Sequence, residues 1–167
     1  MFKCGDKVLY GSHGICKILD IETKRVDRKN IEYFVLQPLE QPGAKFYIPI
    51  HNQIAISKLR PILTPIEINA LLSENIAQPD AWIEDEGQRK QRYKELISSG
   101  DRAALIRMVH ALHIHRRLQQ EAGRKFHLCD ENFLRDAEKL LSVEFALVLN
   151  ICPNDVGAYI QKALEDK

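Results

Sequence analysis

The first part of the chain alternates short apolar runs with clusters of turn-forming residues. The apolar runs cover residues 7–10, 14–21, 31–36, 45–48 and 54–56. Between them lie Gly11-Ser12-His13-Gly14, Asp27-Arg28-Lys29-Asn30 and Gln41-Pro42-Gly43. Short runs rich in β-branched and aromatic residues, separated by Gly, Pro, Asn and Asp, are typical of β-strands joined by tight turns. The pattern predicts a small SH3-like or Tudor-like β-barrel, with Gly5 and Gly14 at tight corners.

From Leu59 onward the apolar positions follow a helical period. Thr64-Pro65-Ile66-Glu67 is a capping box with Pro at the first helical position, and it predicts a short helix through Leu72. Residues 73–79 are predicted to form a linker. Further helices are predicted at residues 84–98, 101–122, 130–150 and 153–164. The second part of the chain should therefore be a compact helical bundle.

Two of these predicted helices carry apolar stripes that should form the core of the bundle. The stripes comprise Ala104, Leu105, Met108, Val109 and Leu112, and Phe133, Leu134, Ala137, Leu140, Leu141, Phe145 and Leu149. The expected fold class is α+β, with an N-terminal β-barrel followed by an all-α bundle. We expect a β-domain at residues 1–60, a short helix and linker at 61–79, and a helical domain at 80–167.

Charge is nearly balanced over the whole chain but not along it. Lys and Arg number 24 against 23 Asp and Glu, so no global field favours nucleic acid or membrane. Residues 74–86 contain five acids and no Lys or Arg, whereas residues 89–125 contain ten bases and three acids. These bases, here called the basic flank, are Arg89, Lys90, Arg92, Lys94, Arg102, Arg107, Arg116, Arg117, Arg124 and Lys125. They form either a solvated helix face or a phosphate-contacting surface, and we favour the second interpretation.

Cysteine usage and hydropathy indicate a cytoplasmic protein. Cys4, Cys16, Cys129 and Cys152 lie far apart, without a CxxC pair or a secretory signal, so we expect reduced and mostly buried thiols. No apolar run approaches the ~20 residues that a membrane span needs. The first six residues already have the composition of a folded domain.

Candidate chemistry is sparse. His110 and His113 share a face of their predicted helix, but His115 points away and no carboxylate completes a metal site, so we expect surface or DNA-facing histidines. Cys129 at a predicted helix start has an acid beside it and no base partner, which favours a structural thiol. Since GxSxG, Walker-type and GxGxxG motifs are absent, we predict no enzyme, metal or cofactor.

The motifs of the first part resemble those of a known family. Phe2-Lys3-Cys4-Gly5-Asp6-Lys7-Val8-Leu9-Tyr10-Gly11-Ser12-His13-Gly14, followed by Glu32-Tyr33-Phe34-Val35-Leu36 and Phe46-Tyr47-Ile48-Pro49, resembles the F-K-x-G-D-x-V-x-Y-x-x-H-G start of the CarD/CdnL family of bacterial transcription regulators. Residues 96–101 resemble its L-x-S-G-D helix break, and residues 137–147 its last long helix. Transcription-repair coupling factors share the barrel, so the resemblance implies polymerase binding more firmly than it implies one pathway.

The resemblance implies a way of binding the β subunit of bacterial RNA polymerase. Proteins of this family place a barrel edge strand beside a strand of that subunit. The family's basic contact falls on Lys24 with Arg25, and Tyr47-Ile48-Pro49 would form the contacting edge. Tyr47 departs from the second basic residue that many members have at this position.

The resemblance also implies a contact with promoter DNA at the upstream edge of the transcription bubble, where a tryptophan wedges into the minor groove. The residues expected there are Trp82, Arg89, Lys90, Arg92, Arg116, Arg117, Arg124 and Lys125. Acids at residues 84–86 and at Asp130-Glu131 depart from the family pattern. Trp82 is therefore either a wedge or a packing cover. We expect a regulator of open-complex stability that needs no small-molecule substrate and no membrane; the alternative is a polymerase-binding adaptor whose helical domain binds a protein.

Overall fold

The computed structural model describes residues 2–165. The chain divides into two compact units, Met1–Ile62 and Leu63–Lys167. Among the described residues, the first unit contains an antiparallel sheet and a short helix, and the regular elements of the second unit are all helices. An N-terminal β-part followed by a helical part is the order that the hydrophobic pattern predicts.

The sheet of the first unit has five antiparallel strands. They are β1 (Lys7–Tyr10), β2 (Ile15–Val26), β3 (Lys29–Pro38), β4 (Phe46–Pro49) and β5 (Leu59–Pro61). Their order is β4-β3-β2-β1-β5, so β4 and β5 are the two edges. Because these edges do not pair with each other within the described residues, the predicted closed barrel is not confirmed.

Tight turns set the register of the sheet. Val26 pairs with Lys29, which leaves Asp27 and Arg28 as a two-residue loop with φ of 48° and 64°. Two successive positive φ values are those of a type I′ turn, whose twist matches the flanking strands. Gly5 and Gly14 also have positive φ, 94° and 76°, as the prediction of tight corners requires.

The predicted strand at residues 54–56 is wrong. Gln53–Ile56 is instead a short helix, α1, and the last strand follows it at β5. The Asn52 side chain accepts a hydrogen bond from the Ala55 backbone N–H at 3.1 Å, which caps the helix. Ile54 is 75% exposed, so its apolar character does not reflect a core position. Periodicity alone does not separate helix from strand in so short a run.

The second unit consists of five helices: α2 (Pro65–Ile76), α3 (Glu86–Ser99), α4 (Arg102–Glu121), α5 (Leu128–Leu149) and α6 (Val156–Glu165). The capping box of α2 is confirmed, with Thr64 N–H donating to Glu67 Oε2 at 2.7 Å and Glu67 N–H donating to Thr64 Oγ1 at 3.3 Å. However, α2 continues beyond Leu72 into the predicted linker. Pro153–Asp155 forms a 3-10 turn before α6 rather than its first turn.

The core of the helical unit is centred on α4, which packs against α2, α3, α5 and α6. The predicted stripe of α4 is buried throughout, from Ala104 to Leu112. On α5 the buried members are Leu134, Ala137, Leu141 and Phe145, while Phe133, Leu140 and Leu149 are partly buried at its margin. The amphipathic pattern therefore identified the inward faces of both long helices.

Thiol burial differs from the prediction. Cys16 is buried, and burial raises the pKa of its thiol. Cys129 is half-buried, while Cys4 and Cys152 are exposed. Spacing along the chain does not report burial, so "mostly buried" was wrong for this set.

Across residues 2–165, no helix taken singly has both the length and the apolar character to cross a membrane. Leu128–Leu149 and Pro153–Ala163, bent by 115° relative to each other, reach that length and composition only as a pair.

Candidate functional surfaces

Strand β4 is an edge of the sheet. One side of its backbone pairs with β3, and the other side pairs with no described strand. Ile50 N–H donates to the Glu32 carbonyl at 3.0 Å, and Pro49, Ile48 and Tyr47 follow in register with Tyr33, Phe34 and Val35. In antiparallel pairing, hydrogen-bonded and non-bonded positions alternate, so the backbone groups of Tyr47 and Pro49 point away from β3. The Pro49 carbonyl accepts from Asn52 N–H at 3.2 Å. Tyr47 therefore provides the N–H and C=O that a further strand could pair with.

Side chains beside this edge combine aromatic rings with a cation. Lys24 Nζ lies 3.2 Å from the centroid of the Tyr47 ring, and Tyr33 meets that ring edge-on at 6.4 Å. Glu22 Oε2 lies 3.8 Å from the same ammonium. Tyr47 is 38% exposed, whereas Ile48 faces the core. The structure thus brings Lys24 together with the predicted edge residue Tyr47.

Arg25 does not join that cluster. Successive side chains of a strand point to opposite faces of the sheet. Lys24 and Arg25 are consecutive in β2, so the Arg25 side chain is directed to the other face and is exposed there. The two cations that the resemblance pairs as one polymerase contact are separated by the strand geometry.

Trp82 lies on the helical unit in contact with two long helices. Its ring stacks on His115 of α4, with centroids 3.5 Å apart and planes at 8°. The Arg89 guanidinium carbon, on α3, lies 4.5 Å from the Trp82 ring centroid. Phe126 lies near His115, with the two ring centroids 6.3 Å apart. Trp82 is only partly buried by these neighbours, so part of the indole faces solvent.

Arg89 forms a buried ion pair with Asp130. The two residues are 5% and 1% exposed, and two parallel bonds of 2.9 and 3.1 Å join guanidinium and carboxylate. Arg89 Nη1 also donates to the carbonyls of Ile83 and Glu84, at 2.8 and 3.3 Å. The Arg89 side chain is therefore almost completely buried, and it is not available for the predicted contact with DNA phosphate. Asp130, one of the acids that depart from the family pattern, therefore neutralises Arg89.

Two further arginines of the basic flank also hold the bundle together. Arg102 binds Glu144 through two bonds of 2.6 and 2.8 Å, and Glu144 additionally accepts from the Leu63 backbone N–H at 2.8 Å. Arg107 donates to Asp80 at 3.2 Å and to Asn75 at 2.6 Å. Counting bases along the sequence missed these pairings because the acids that neutralise them lie elsewhere in the chain.

The other predicted DNA contacts lie in three places. Arg124 and Lys125 are exposed and directly precede Phe126, and Lys90 follows Arg89 on α3, paired with Glu86. We call Trp82, Lys90, Arg124, Lys125 and Phe126 the Trp82 surface. Arg116 and Arg117 lie elsewhere: at 100° per residue they are turned about 100° and 200° from His115 around the axis of α4. Arg92 is exposed on α3, 4.0 Å from Glu95.

The histidines of α4 have packing roles that the sequence did not reveal. His113 Nε2 lies 3.0 Å from Glu138 Oε1 and its Nδ1 lies 2.9 Å from Arg116 Nη2. His115 carries Trp82. Both side chains are partly buried in these contacts, and the expectation of surface or DNA-facing histidines stays a prediction. No group of three potential metal-ligating side chains occurs in the described part of the chain.

Stability of the helical unit should depend on the protonation of His115. Burial lowers the pKa of His115 from its ordinary value of 6.5, with Asp130 acting in the opposite direction and Arg89 adding to the decrease. As the pH falls, the unfolded chain takes up this proton before the folded one. The contribution of neutral His115 is therefore complete above about pH 6.5 and is lost as the pH falls through the lower folded pKa.

The variant His115→Phe keeps an aromatic ring against Trp82 but does not titrate. Thermal unfolding midpoints measured between about pH 7.5 and 5.5 should decline less for this variant than for the unmodified chain. Parallel declines for the two proteins would contradict the assignment.

Comparison with known families finds a match for the first unit. Residues 2–61 match a family model described as the CarD-like/TRCF RID domain. The matched segment contains all five strands and the Lys24–Tyr47 cluster, and it ends just before the helical unit begins. No curated protein matches the chain.

Proposed function

We propose that the protein regulates transcription by binding promoter DNA through its helical unit, from the premise that residues 2–61 match the CarD-like/TRCF RID domain, an RNA-polymerase-interacting domain. The domain marks a transcription-associated protein, and its family is a protein-interaction module rather than a catalytic one. In the proposal, this domain binds the β subunit of RNA polymerase. The helical unit then contacts DNA at the upstream edge of the transcription bubble and changes the lifetime of the open complex. The family match carries the polymerase part of the proposal, and the partly exposed Trp82 ring stacked on His115 supports the DNA part.

The polymerase contact is proposed to form by strand addition at β4. Main-chain hydrogen bonds to an exposed edge supply affinity, and neighbouring side chains select the partner. The outward N–H and C=O of Tyr47 would pair with a strand of the β subunit, with Ile48 and Pro49 setting the position of that edge. Lys24 would contribute its charge beside the edge, whereas Arg25 would reach the partner only from the opposite face of β2.

The DNA contact is proposed to form at the Trp82 surface. A partly exposed indole held from behind by His115 can insert into an unstacked base step, which costs about a few kcal/mol and is repaid by backbone contacts. Arg124 and Lys125, which are exposed and directly precede Phe126, would supply positive charge to this contact. Two of the nearby acids are engaged locally, since Asp85 caps α3 by accepting from Gln88 N–H at 2.7 Å and Glu86 pairs with Lys90. These contacts reduce the repulsion between DNA phosphate and the acids at residues 84–86.

The half-life of a promoter open complex tests this proposal. Saturating protein should change the half-life, and Trp82→Ala should abolish most of that change while leaving affinity for polymerase within about twofold, because Trp82 lies outside the polymerase-interacting domain. The measurement is the decay of open complexes after addition of a competitor, together with a binding titration against polymerase. An unchanged half-life at saturation would contradict the proposal.

A matched variant separates a wedge from a packing cover. His115→Ala removes the stacking partner but keeps the indole. If Trp82 serves only as a cover, both variants should lower the unfolding midpoint and both should affect the open complex in proportion to that loss. If Trp82 inserts into DNA, Trp82→Ala should be the more damaging to the open complex at equal stability.

A protein partner for the helical unit is the alternative. Leu118 near the end of α4 and Leu128 at the start of α5 are 53% and 70% exposed, which a protein-binding surface would explain. DNA binding by the full chain predicts an affinity that falls steeply with added salt, with a slope of about 0.9 per phosphate neutralised. Absence of salt-dependent DNA binding would favour the alternative.

A further inference from the structure

A polar cleft of about 200 Å³ lies between α4 and α6. Its polar lining residues are His110, His113, Arg116, Arg117, Gln120 and Gln161. All but Gln161 belong to α4, and they are centred on the side of that helix opposite His115, since each residue advances the helix by about 100°. The cleft is therefore distinct from the Trp82 surface.

The consecutive residues Arg116 and Arg117 both line the cleft, and no Asp or Glu is among its lining residues in the described part of the chain. Arg116 is oriented by His113, whose Nδ1 lies 2.9 Å from one terminal nitrogen, and the remaining N–H groups of the guanidinium make no hydrogen bond to a described residue. Glu138 holds the far nitrogen of His113 at 3.0 Å. Arg117 makes no hydrogen bond or ion pair with a described residue, and it is exposed at the mouth of the cleft.

The geometry points to a binding site for a phosphoryl oxyanion. The planar guanidinium fork matches phosphate with two parallel hydrogen bonds, and an anion would relieve the repulsion between consecutive arginines. A volume of this size is well above the ~10–15 Å³ needed to hold one water, and it is below the ~300–1,000 Å³ of pockets for drug-sized ligands. The cleft thus fits one or two phosphoryl groups, either free or as part of a larger molecule. This inference does not depend on the proposed polymerase or DNA contacts.

The site is tested by titrating the full chain with pyrophosphate and measuring the heat of binding by calorimetry at constant ionic strength. We expect saturable binding that Arg117→Gln weakens about tenfold or more, since a charge-assisted hydrogen bond contributes that much. Gln120→Leu, a second change at the cleft, should also weaken binding. Arg92→Gln removes an exposed arginine outside the cleft and should leave the affinity within about twofold. Absence of saturable binding, or an equal loss in Arg92→Gln, would overturn the inference.

A second measurement identifies the source of the phosphoryl group. Binding of labelled duplex DNA is compared with and without saturating pyrophosphate at matched ionic strength, for Arg117→Gln and for Arg124→Gln. If pyrophosphate leaves the affinity for DNA unchanged, and Arg124→Gln but not Arg117→Gln weakens DNA binding, the natural ligand of the cleft is a free phosphoryl compound. If pyrophosphate competes with DNA, and Arg117→Gln also weakens DNA binding, the cleft binds phosphates of the DNA backbone. If the protein changes the lifetime of open complexes but does not bind pyrophosphate, the phosphoryl site is overturned and the proposed function is not.

Discussion

Replacing Asp130 with alanine is expected to destabilise the helical unit by about 3–5 kcal/mol, the usual cost of removing one partner of a buried ion pair. Arg89 would remain 5% exposed with its charge uncompensated, and the carbonyls of Ile83 and Glu84 neutralise none of that charge. The unfolding midpoint should fall by roughly 10 °C or more. Chemical and thermal denaturation of the full chain measure the change.

The matched control is Glu131→Ala, which removes the neighbouring exposed carboxylate of the same helical turn and should change stability by no more than about 0.5 kcal/mol. Trp82 is the only tryptophan and lies over Arg89, so its fluorescence reports on this region directly. Asp130→Ala should alter that emission in the folded state. An unfolding midpoint equal to that of the control variant would show that the pair is not buried as described.

The variant Tyr47→Pro should weaken binding to RNA polymerase by about 5- to 150-fold. Proline removes the outward N–H, so the partner strand's carbonyl would be buried without a donor at a cost of about 1–3 kcal/mol. Because Tyr47 does not donate to β3 in this register, proline removes no ladder bond within the sheet, as is usual for proline on an edge strand. Affinity for polymerase is measured by titration with the full chain.

Tyr47→Ala is the control for this change because it removes the same ring, and with it the contact to Lys24, but keeps the N–H. It should lose less affinity than the proline variant. Equal losses would indicate that the aromatic ring rather than the backbone edge makes the contact. A proline variant with unaltered affinity and an intact fold would contradict strand addition at β4.

Much of the fold could be predicted because its signals are local. The Asp27-Arg28 turn and the capping box at Thr64 each depend on residues within a few positions of one another. The strand predicted at residues 54–56 failed because Asn52 forms a helix cap that a three-residue apolar run does not reveal. Closure of the sheet depends on pairing between β4 and β5, which no local pattern specifies.

The candidate surfaces were less predictable because they depend on which charges are buried. Trp82 could be singled out by its residue type, but its contacts with His115 and Arg89 join three separate segments of the helical unit. A count of bases along residues 89–125 treats each arginine as exposed. Arg89, Arg102 and Arg107 are instead neutralised by Asp130, Glu144 and Asp80, so the positively charged surface is smaller than the count suggests.

The order of a β-part and a helical part, the inward faces of α4 and α5, and the motifs of the polymerase-interacting domain were determined by the amino-acid sequence alone. Each follows from periodicity or from short-range spacing, which the chain carries along its length. Only the tertiary structure decided that Lys24 meets Tyr47 while Arg25 turns away, that Arg89 is buried against Asp130, and that Arg116 and Arg117 line a cleft apart from Trp82. These outcomes depend on how distant segments pack, and packing determines which charges lose their contact with water.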